Sequence, residues 1–311
     1  MVSLFHVPSV KIDTSKYSSL LHDPIVTALE QRVAKYVGAK YAVSLNSATS
    51  AIFLSLLRES GTTIPVPSVI PPVVLNAILT SGNTYTFVDD VAWVGDMYTL
   101  AEFTDYKIID SAQRFEAAQF SRFCDPQDLM IFSFYPTKPV SGADGGMIVS
   151  DDKEKIENIR TLALNGMTFA PNNWDRTITT VGYKMYMSAV QAAIVHSNMD
   201  NYEIKAGKMS YLCGLYNKYL KLNNTSKHLY RINVDAEHRD DFRHYLEAAG
   251  ISSGLHYAAM HLHPVYTLGT RGLPLPKSEL DAVTTVSLPF HEKLTTACVR
   301  NICRVVHDYK P

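Results

Sequence analysis

The chain has 311 residues, 19% of them charged and 46% hydrophobic, and its 29 Lys and Arg against 30 Asp and Glu give a formal net charge of -1. That apolar content excludes large-scale disorder, and the balanced charge argues against a dedicated nucleic-acid binder, which needs a basic field. The length suits one large domain or two unequal ones, because single cores stop growing at roughly 250–300 residues.

Ile25, Leu29, Val33 and Val37 recur every four residues, so 24–38 is predicted as a helix, with Asp23 as its cap and Pro24 as its first residue. Tyr41 to Leu45 alternates as a short strand and runs through Asn46, Ser47, Ala48 and Thr49 into a predicted helix over 51–57. Strand, small polar turn and helix in that order often set helix N-terminal amides over an anion, and the same residues serve equally well as a plain helix cap. Further short strands are predicted at 64–66, 85–88, 107–110, 130–134 and 147–149, with a helix over 73–79 after a loop marked by Pro65, Pro67, Pro71 and Pro72. Short apolar strands alternating with helices imply an α/β domain with a mostly parallel sheet. Acids and polar groups recur at the strand ends, where such sheets bind ligands.

Past Asp151 the predicted helices lengthen, over 153–164 and then 189–220 with breaks. From about Ser226 short elements mix: a strand at 230–234, a helix at 238–248, a loop holding Pro264, Pro274 and Pro276, and a closing helix over 292–309 with its cap region near Pro289. The expected division is a large domain over 1–205 and a smaller C-terminal α/β domain over 206–311.

Cys124, Cys213, Cys298 and Cys303 form no CxxC and match no zinc module, so reduced thiols and no metal are expected. Residues 1–10 lack a basic start followed by a sustained apolar run, and no apolar stretch reaches the roughly 20 residues that span a bilayer. A soluble cytoplasmic protein without membrane or nucleic-acid partners is the expectation.

Several residues suit a pyridoxal phosphate site. That cofactor needs a lysine to hold its aldehyde, an acid opposite its pyridine nitrogen, and small polar groups with helix amides for its phosphate. Lys138, Asp110, Ser133, and Ala48 with Thr49 supply those types. Taken alone, a lysine after a strand is usually just a solvated surface residue.

The ordered set of motifs is more specific. It comprises Tyr36-Val37-Gly38-Ala39-Lys40-Tyr41-Ala42-Val43 with Asn46-Ser47-Ala48-Thr49, then Ile109-Asp110-Ser111-Ala112-Gln113, then Phe132-Ser133-Phe134-Tyr135-Pro136-Thr137-Lys138 leading to Gly145-Gly146-Met147. Met187-Ser188 with Gln191-Ala192-Ala193, His256-Tyr257 and Leu288-Pro289 follow. In that order, from about Asp23 to the C-terminus, the chain resembles the DegT/DnrJ/StrS family of nucleotide-sugar aminotransferases, pyridoxal phosphate enzymes of the fold-type I, aspartate-aminotransferase-like class.

The resemblance implies roles. Lys138 matches the lysine that carries the cofactor, and Asp110 the acid at the ring nitrogen. Gln113 matches a residue on the ring face or near the ring oxygen. Ser133 matches a phosphate ligand five residues before the lysine. Ala48 and Thr49 match a Gly-Thr pair that binds phosphate, with Ala tolerable where the turn needs no positive φ. Asp144 stands where the family has Glu. His256, Tyr257, His261 and His263 are the residues expected to line the sugar.

The departures are as specific as the matches. In the segment Pro67-Ser68-Val69-Ile70-Pro71, Pro71 takes the place of the family's ring-stacking aromatic. In Gly182-Tyr183-Lys184-Met185-Tyr186, Lys184 replaces an Asn that reaches the partner subunit's phosphate, and Tyr186 replaces an Arg. Lys184 still offers a point charge to a phosphate. Between Val88 and Lys107 the family carries a further strand and helix, a crossover-sized addition on the order of 40 residues, where only 90–106 remain here. Trp93 and Tyr98 are expected to cover the sheet edge so exposed.

The implied activity is transfer of an amino group, from glutamate by resemblance, to a nucleotide-linked keto sugar by a homodimer with shared active sites. Three alternatives stay open on the sequence: an inactive structural or interaction paralogue, an enzyme with a non-sugar substrate, and a sugar dehydratase. Dehydratases of this family carry His in place of the lysine, so Lys138 argues against the last.

Overall fold

The computed structural model describes residues 1–169, 176–269 and 274–311. Helix α1 (Pro24–Val37) follows the expected cap, with the Asp23 carboxylate accepting from the Ile25 amide and Gly38 closing the helix at φ 80°. Strand β1 (Tyr41–Leu45) turns into α2 (Ala48–Leu56), then β2 (Thr63–Pro67), α3 (Pro72–Thr80) and β3 (Thr84–Val88) follow. Next come β4 (Tyr98–Glu102), β5 (Lys107–Asp110), α4 (Gln119–Phe123), β6 (Leu129–Ser133), β7 (Gly146–Ser150) and α5 (Lys153–Ala163). A small hairpin, β8 (Met167–Phe169) and β9 (Arg176–Ile178), precedes α6 (Ala189–Met199) and α7 (Tyr202–Leu220). The C-terminal part holds β10 (Tyr230–Asn233), α8 (Arg239–Ala248), α9 (Pro276–Thr284), β11 (Thr285–Leu288) and α10 (Thr296–Asp308).

The central sheet has the order β1-β7-β6-β5-β4. β5 and β6 pair in parallel, and β1 shares their direction through the antiparallel β7 between them. β4 also runs antiparallel, against β5. The expected mostly parallel sheet is therefore a mixed one, with three of its five strands in one sense and two reversed. Alternate residues face two helical layers: Val43, Ile131 and Ile148 pack into the core under α2, α3 and α5, and Ala42, Met130 and Val149 into the core under α1 and α6.

The shortened segment corrects the expectation of a lost strand. Residues 90–106 do not leave a bare edge; they fold back as β4. The break lies one strand further out, where β2 and β3 form a separate parallel pair. Prolines explain it. The carbonyl of Thr62 and the amide of Ser68 both bond toward β3, so by strand alternation Pro65 and Pro67 face β4. Neither proline has an N–H to give to a ladder there. Trp93 and Tyr98 are buried at this junction, as expected for residues covering it.

A third core gathers Met209 to Tyr216 of α7 with β10, β11, α8 and α10, while Tyr202 at the start of α7 packs with the large-domain core. The domains are interlaced. Val2 pairs with Ile251 on the C-terminal side, and Ala259, Met260 and Tyr266 return to the large-domain core. Two expected boundaries move. Pro276 is the first residue of α9 and not part of a loop, and α10 starts after Thr295, whose side chain accepts from the Cys298 amide, well past Pro289.

Asp89, just after β3, accepts from the amides of Lys277 and Ser278 at 3.0 and 2.7 Å and so ties the first turn of α9 to the large domain. Burial works to raise its carboxyl, but these amides, together with the Lys277 charge and the Ser278 side chain, hold it below the ordinary range. Asp89→Ala should destabilise the protein by about 1 kcal/mol, the usual worth of a helix N-terminal acceptor, read as a lower urea midpoint at unchanged slope. The difference should be present at neutral pH and fade as acid protonates the folded carboxyl.

Candidate active site

The parallel pair β5 and β6 ends at one edge of the sheet, and there the site begins. Asp110 is the last residue of β5, 6% exposed. Its Oδ1 accepts from the Ala112 amide at 2.9 Å and its Oδ2 from the Tyr98 hydroxyl at 3.1 Å. Ser133 ends β6, and the chain then turns, the Lys138 amide donating to the Tyr135 carbonyl, so that Lys138 comes back over the strand ends. Burial raises the Asp110 carboxyl, against the Ala112 amide, the Lys138 charge and the Tyr98 hydroxyl, which lower it. Burial likewise depresses the Lys138 ammonium, to about 8, despite the opposing charge of Asp110. The Lys138 amine has no hydrogen bond or ion pair among the described residues.

The third wall comes from β1 and α2. Ser47 caps α2, its hydroxyl accepting from the Ser50 amide, and Asn46 accepts from the Ser50 hydroxyl. The first-turn amides of Ala48 and Thr49 have no hydrogen-bond acceptor among the described residues, and both residues line the cleft, an arrangement suited to an anion. Ala48 is not among the residues with positive φ, so its methyl costs nothing at this turn. Gly146 of β7 lies directly behind: a Cβ there would meet the Ala48 nitrogen and Ser47 oxygen at 2.5 Å.

These walls enclose a cavity of about 520 Å³, within the usual range for a small-molecule site. It brings together Ala48, Thr49, Asp110, Gln113, Ser133, Lys138, His256 and Tyr257 from the expected set. Gln113 is also a brace: its Oε1 accepts from the Gly95 amide at 2.8 Å and so pins the shortened segment to the cleft. Lys184 is exposed and outside the cavity, on a segment that bridges to Leu164 and, through Tyr186, to the end of β1. Tyr186 packs its ring on His22, 4.7 Å between centroids.

His261 and His263 do not line the cavity. His261 turns its ring into the interdomain contact, Nδ1 2.5 Å from the Ser68 hydroxyl and Nε2 3.4 Å from Glu279. This Ser-His-Glu row is a brace and not a nucleophile, because Ser68 has no exposed surface. His263 accepts from the Val265 amide within its own turn.

Residues without a motif complete the walls: Phe5, Trp93 and His228. Phe5 stacks on His228 and meets His256 edge-on, and His256 bonds the Ser287 hydroxyl at 2.9 Å. Burial and the Lys138 charge keep both histidines neutral, His256 at about 4 and His228 well below the ordinary range. Only the aromatic character of Trp93 was a signal in the sequence; Phe5 and His228 are recruited from distant positions by packing alone. A second recess beside the site, lined by Asp96, Arg114, Glu116 and Lys227, has its charges paired with one another.

The cleft thus offers a deprotonatable amine, a buried carboxylate held from two sides and an anion cradle at a helix N-terminus. Those are the groups an aldehyde-bearing, ring-nitrogen phosphate cofactor requires, and pyridoxal phosphate fits them. Among the described residues no cluster is arranged to hold a metal ion, and no helix is long and apolar enough to cross a membrane.

Spore coat polysaccharide biosynthesis protein SpsC of Bacillus subtilis is 24% identical over 358 aligned positions, covering 95% of this chain and 92% of that protein. An alignment longer than the chain places gaps in it, as a shortened member requires. The crystal structure of an aminotransferase, TlmJ from Streptoalloteichus hindustanus, superposes with a TM-score of 0.82 at 21% identity over 98% of both chains. Spr1654 from Streptococcus pneumoniae, solved in a PLP-form, gives 0.79 at 22% identity over 96% of both. The fold is therefore that of the fold-type I enzymes. The sequence model of the DegT/DnrJ/EryC1/StrS aminotransferase family matches residues 12–103 and 94–307, two stretches that meet inside the shortened segment. Nearly the whole chain is covered, and the protein belongs to the DegT/DnrJ/EryC1/StrS aminotransferase family.

Proposed function

We propose that this protein is a pyridoxal phosphate-dependent aminotransferase that moves an amino group from an amino acid, glutamate in the simplest case, to a nucleotide-linked keto sugar. The observation that carries the reading is the unpartnered Lys138 amine, depressed to about 8, in one cavity with Asp110 and the open α2 amides. The cofactor, when bound, supplies an aldehyde that joins amines and a ring that accepts the electron pair left at a substrate α-carbon. Lys138 Nζ would hold the group through that aldehyde, with loss of one water, and as a free amine it would be the base placed to take the α-proton of the donor and return it. Asp110, in its charged form, would keep a ring nitrogen protonated. Thr49, the Ala48 amide and Ser133 hold the phosphate, with Lys184 reaching across from a second subunit. Gln113 would lie along the ring, and His256 and Tyr257 would line the sugar at the C-terminal side. Function as a cytoplasmic homodimer with shared sites belongs to the same reading. A sugar acceptor is supported by the polysaccharide pathway named for the Bacillus subtilis relative.

Borohydride reduction of the cofactor-loaded protein should label Lys138 on peptide mapping, and a label elsewhere refutes its role. The rate at which cofactor-free protein takes up pyridoxal phosphate should rise with pH through about 8, because only the unprotonated amine attacks an aldehyde. Lys138→Ala should abolish transamination assayed on keto-sugar nucleotides with glutamate, at unchanged thermal midpoint. Asp110→Asn should keep part of the cofactor affinity and lose most turnover, since an amide cannot hold a proton on the ring. Sedimentation should give a dimer, and a fully active monomer would refute the shared site.

A further inference from the structure

Asp110 is held by a residue that no motif marks. Tyr98, the first residue of β4, stands directly opposite Asp110 in the antiparallel register with β5, which puts the two side chains on one face. Its hydroxyl donates to Oδ2 at 3.1 Å, while the Ala112 amide occupies Oδ1. The ring is fixed from behind by Trp93, 4.6 Å between centroids, which in turn lies parallel to Tyr257 at 6.3 Å. Burial and the neighbouring carboxylate push the Tyr98 hydroxyl well above its ordinary range, so it stays a donor throughout the pH range of the folded protein.

We propose that Tyr98 is a positioning residue for Asp110, and that the shortened segment carries this function. By folding back as a hairpin, the segment delivers a hydroxyl that orients the carboxylate across the cleft and favours its charged form. The inference rests on the aminotransferase reading for its purpose, but not for its physics. The groups facing Asp110 are Lys138 from the turn after β6, Tyr98 from β4, the Ala112 amide from its own turn and Tyr257 from the C-terminal segment. Of these, Lys138, the Ala112 amide and Tyr98 lower the carboxyl.

The test removes one oxygen. In cofactor-free protein carrying 13C-labelled aspartate, the Asp110 carboxyl signal, identified by its loss in Asp110→Asn, should titrate at higher pH in Tyr98→Phe than in wild type. Tyr106→Phe, which removes a hydroxyl bonded to Glu59 at the other end of the hairpin, should leave it at the wild-type value. In Tyr98→Phe the acid limb of pyridoxal phosphate affinity should move to higher pH, with binding on that limb about tenfold weaker, the low end for a hydrogen bond to a charged group. In wild-type protein labelled with [13Cζ]tyrosine, the Tyr98 resonance should follow the Asp110 titration, a readout that needs no substitution. An Asp110 titration unchanged in Tyr98→Phe, or a Tyr98 resonance indifferent to it, overturns the proposal. Failure of the wild type to bind pyridoxal phosphate would overturn the aminotransferase reading alone, because the carboxyl titration is measured without cofactor.

Discussion

Two strands running side by side in one direction set up the chemistry of this molecule. Because β5 and β6 are parallel, their C-terminal ends coincide, and the residues that leave them, Asp110 and the turn from Ser133 to Lys138, meet at one edge of the sheet. An antiparallel pair would have sent these groups to opposite edges. The meeting has an energetic cost on both sides, since burial opposes the charge of Asp110 and of Lys138 alike. Their opposite signs offset part of it, and the balance leaves an amine near 8 beside a carboxylate held by two donors. A lysine so placed is a ready nucleophile and base at neutral pH, which an exposed lysine is not.

The short segment between β3 and β5 shows how a sheet can lose a crossover and keep a strand. A parallel strand needs a connection of roughly a dozen residues or more, whereas an antiparallel one needs only a tight return. With 90–106 as the whole allowance, the chain takes the second route, and β4 turns into β5 through residues 103–106. The outer pair β2 and β3 cannot then zip onto β4, because Pro65 and Pro67 present no amide on that side. What fills the seam is aromatic: Trp93 and Tyr98 seal it and at the same time form part of the wall of the cleft and the support of its carboxylate.

The C-terminal part closes the cleft with neutral groups. His228 and His256 are kept uncharged by burial and by Lys138, so they add hydrogen-bonding shape beside the amine without competing for its charge. His261 and Asp89 do a different job. Each joins the large domain to the segment between 260 and 279, one through Ser68 and Glu279, the other through the amides that start α9. The Val69–Ala259 bridge and the bond from the Met260 amide to the Ser68 carbonyl hold the same segment near Tyr257.

The sequence by itself determined the local elements and the chemical centre. Helix α1 is dictated by its apolar stripe and its Asp23 cap, and the strands carrying Asp110 and Ser133 by short apolar runs that close on polar residues. Lys138, Asp110, Ser133, Ala48 and Thr49, which line one cavity, were singled out by the ordered motifs shared with the family, since residue type beside a strand end is a weak signal alone. The tertiary structure alone decided the rest. Whether 90–106 leaves a gap or folds back depends on which strand edge is free to accept it, and that is settled by pairing across the chain. Phe5, His228 and Tyr98 entered the site, and His261 and His263 left it, because side-chain roles at long range follow burial and partner geometry. A residue's own neighbours in sequence carry no record of what will pack against it 100 or 200 positions away, and only the closed fold supplies that contact.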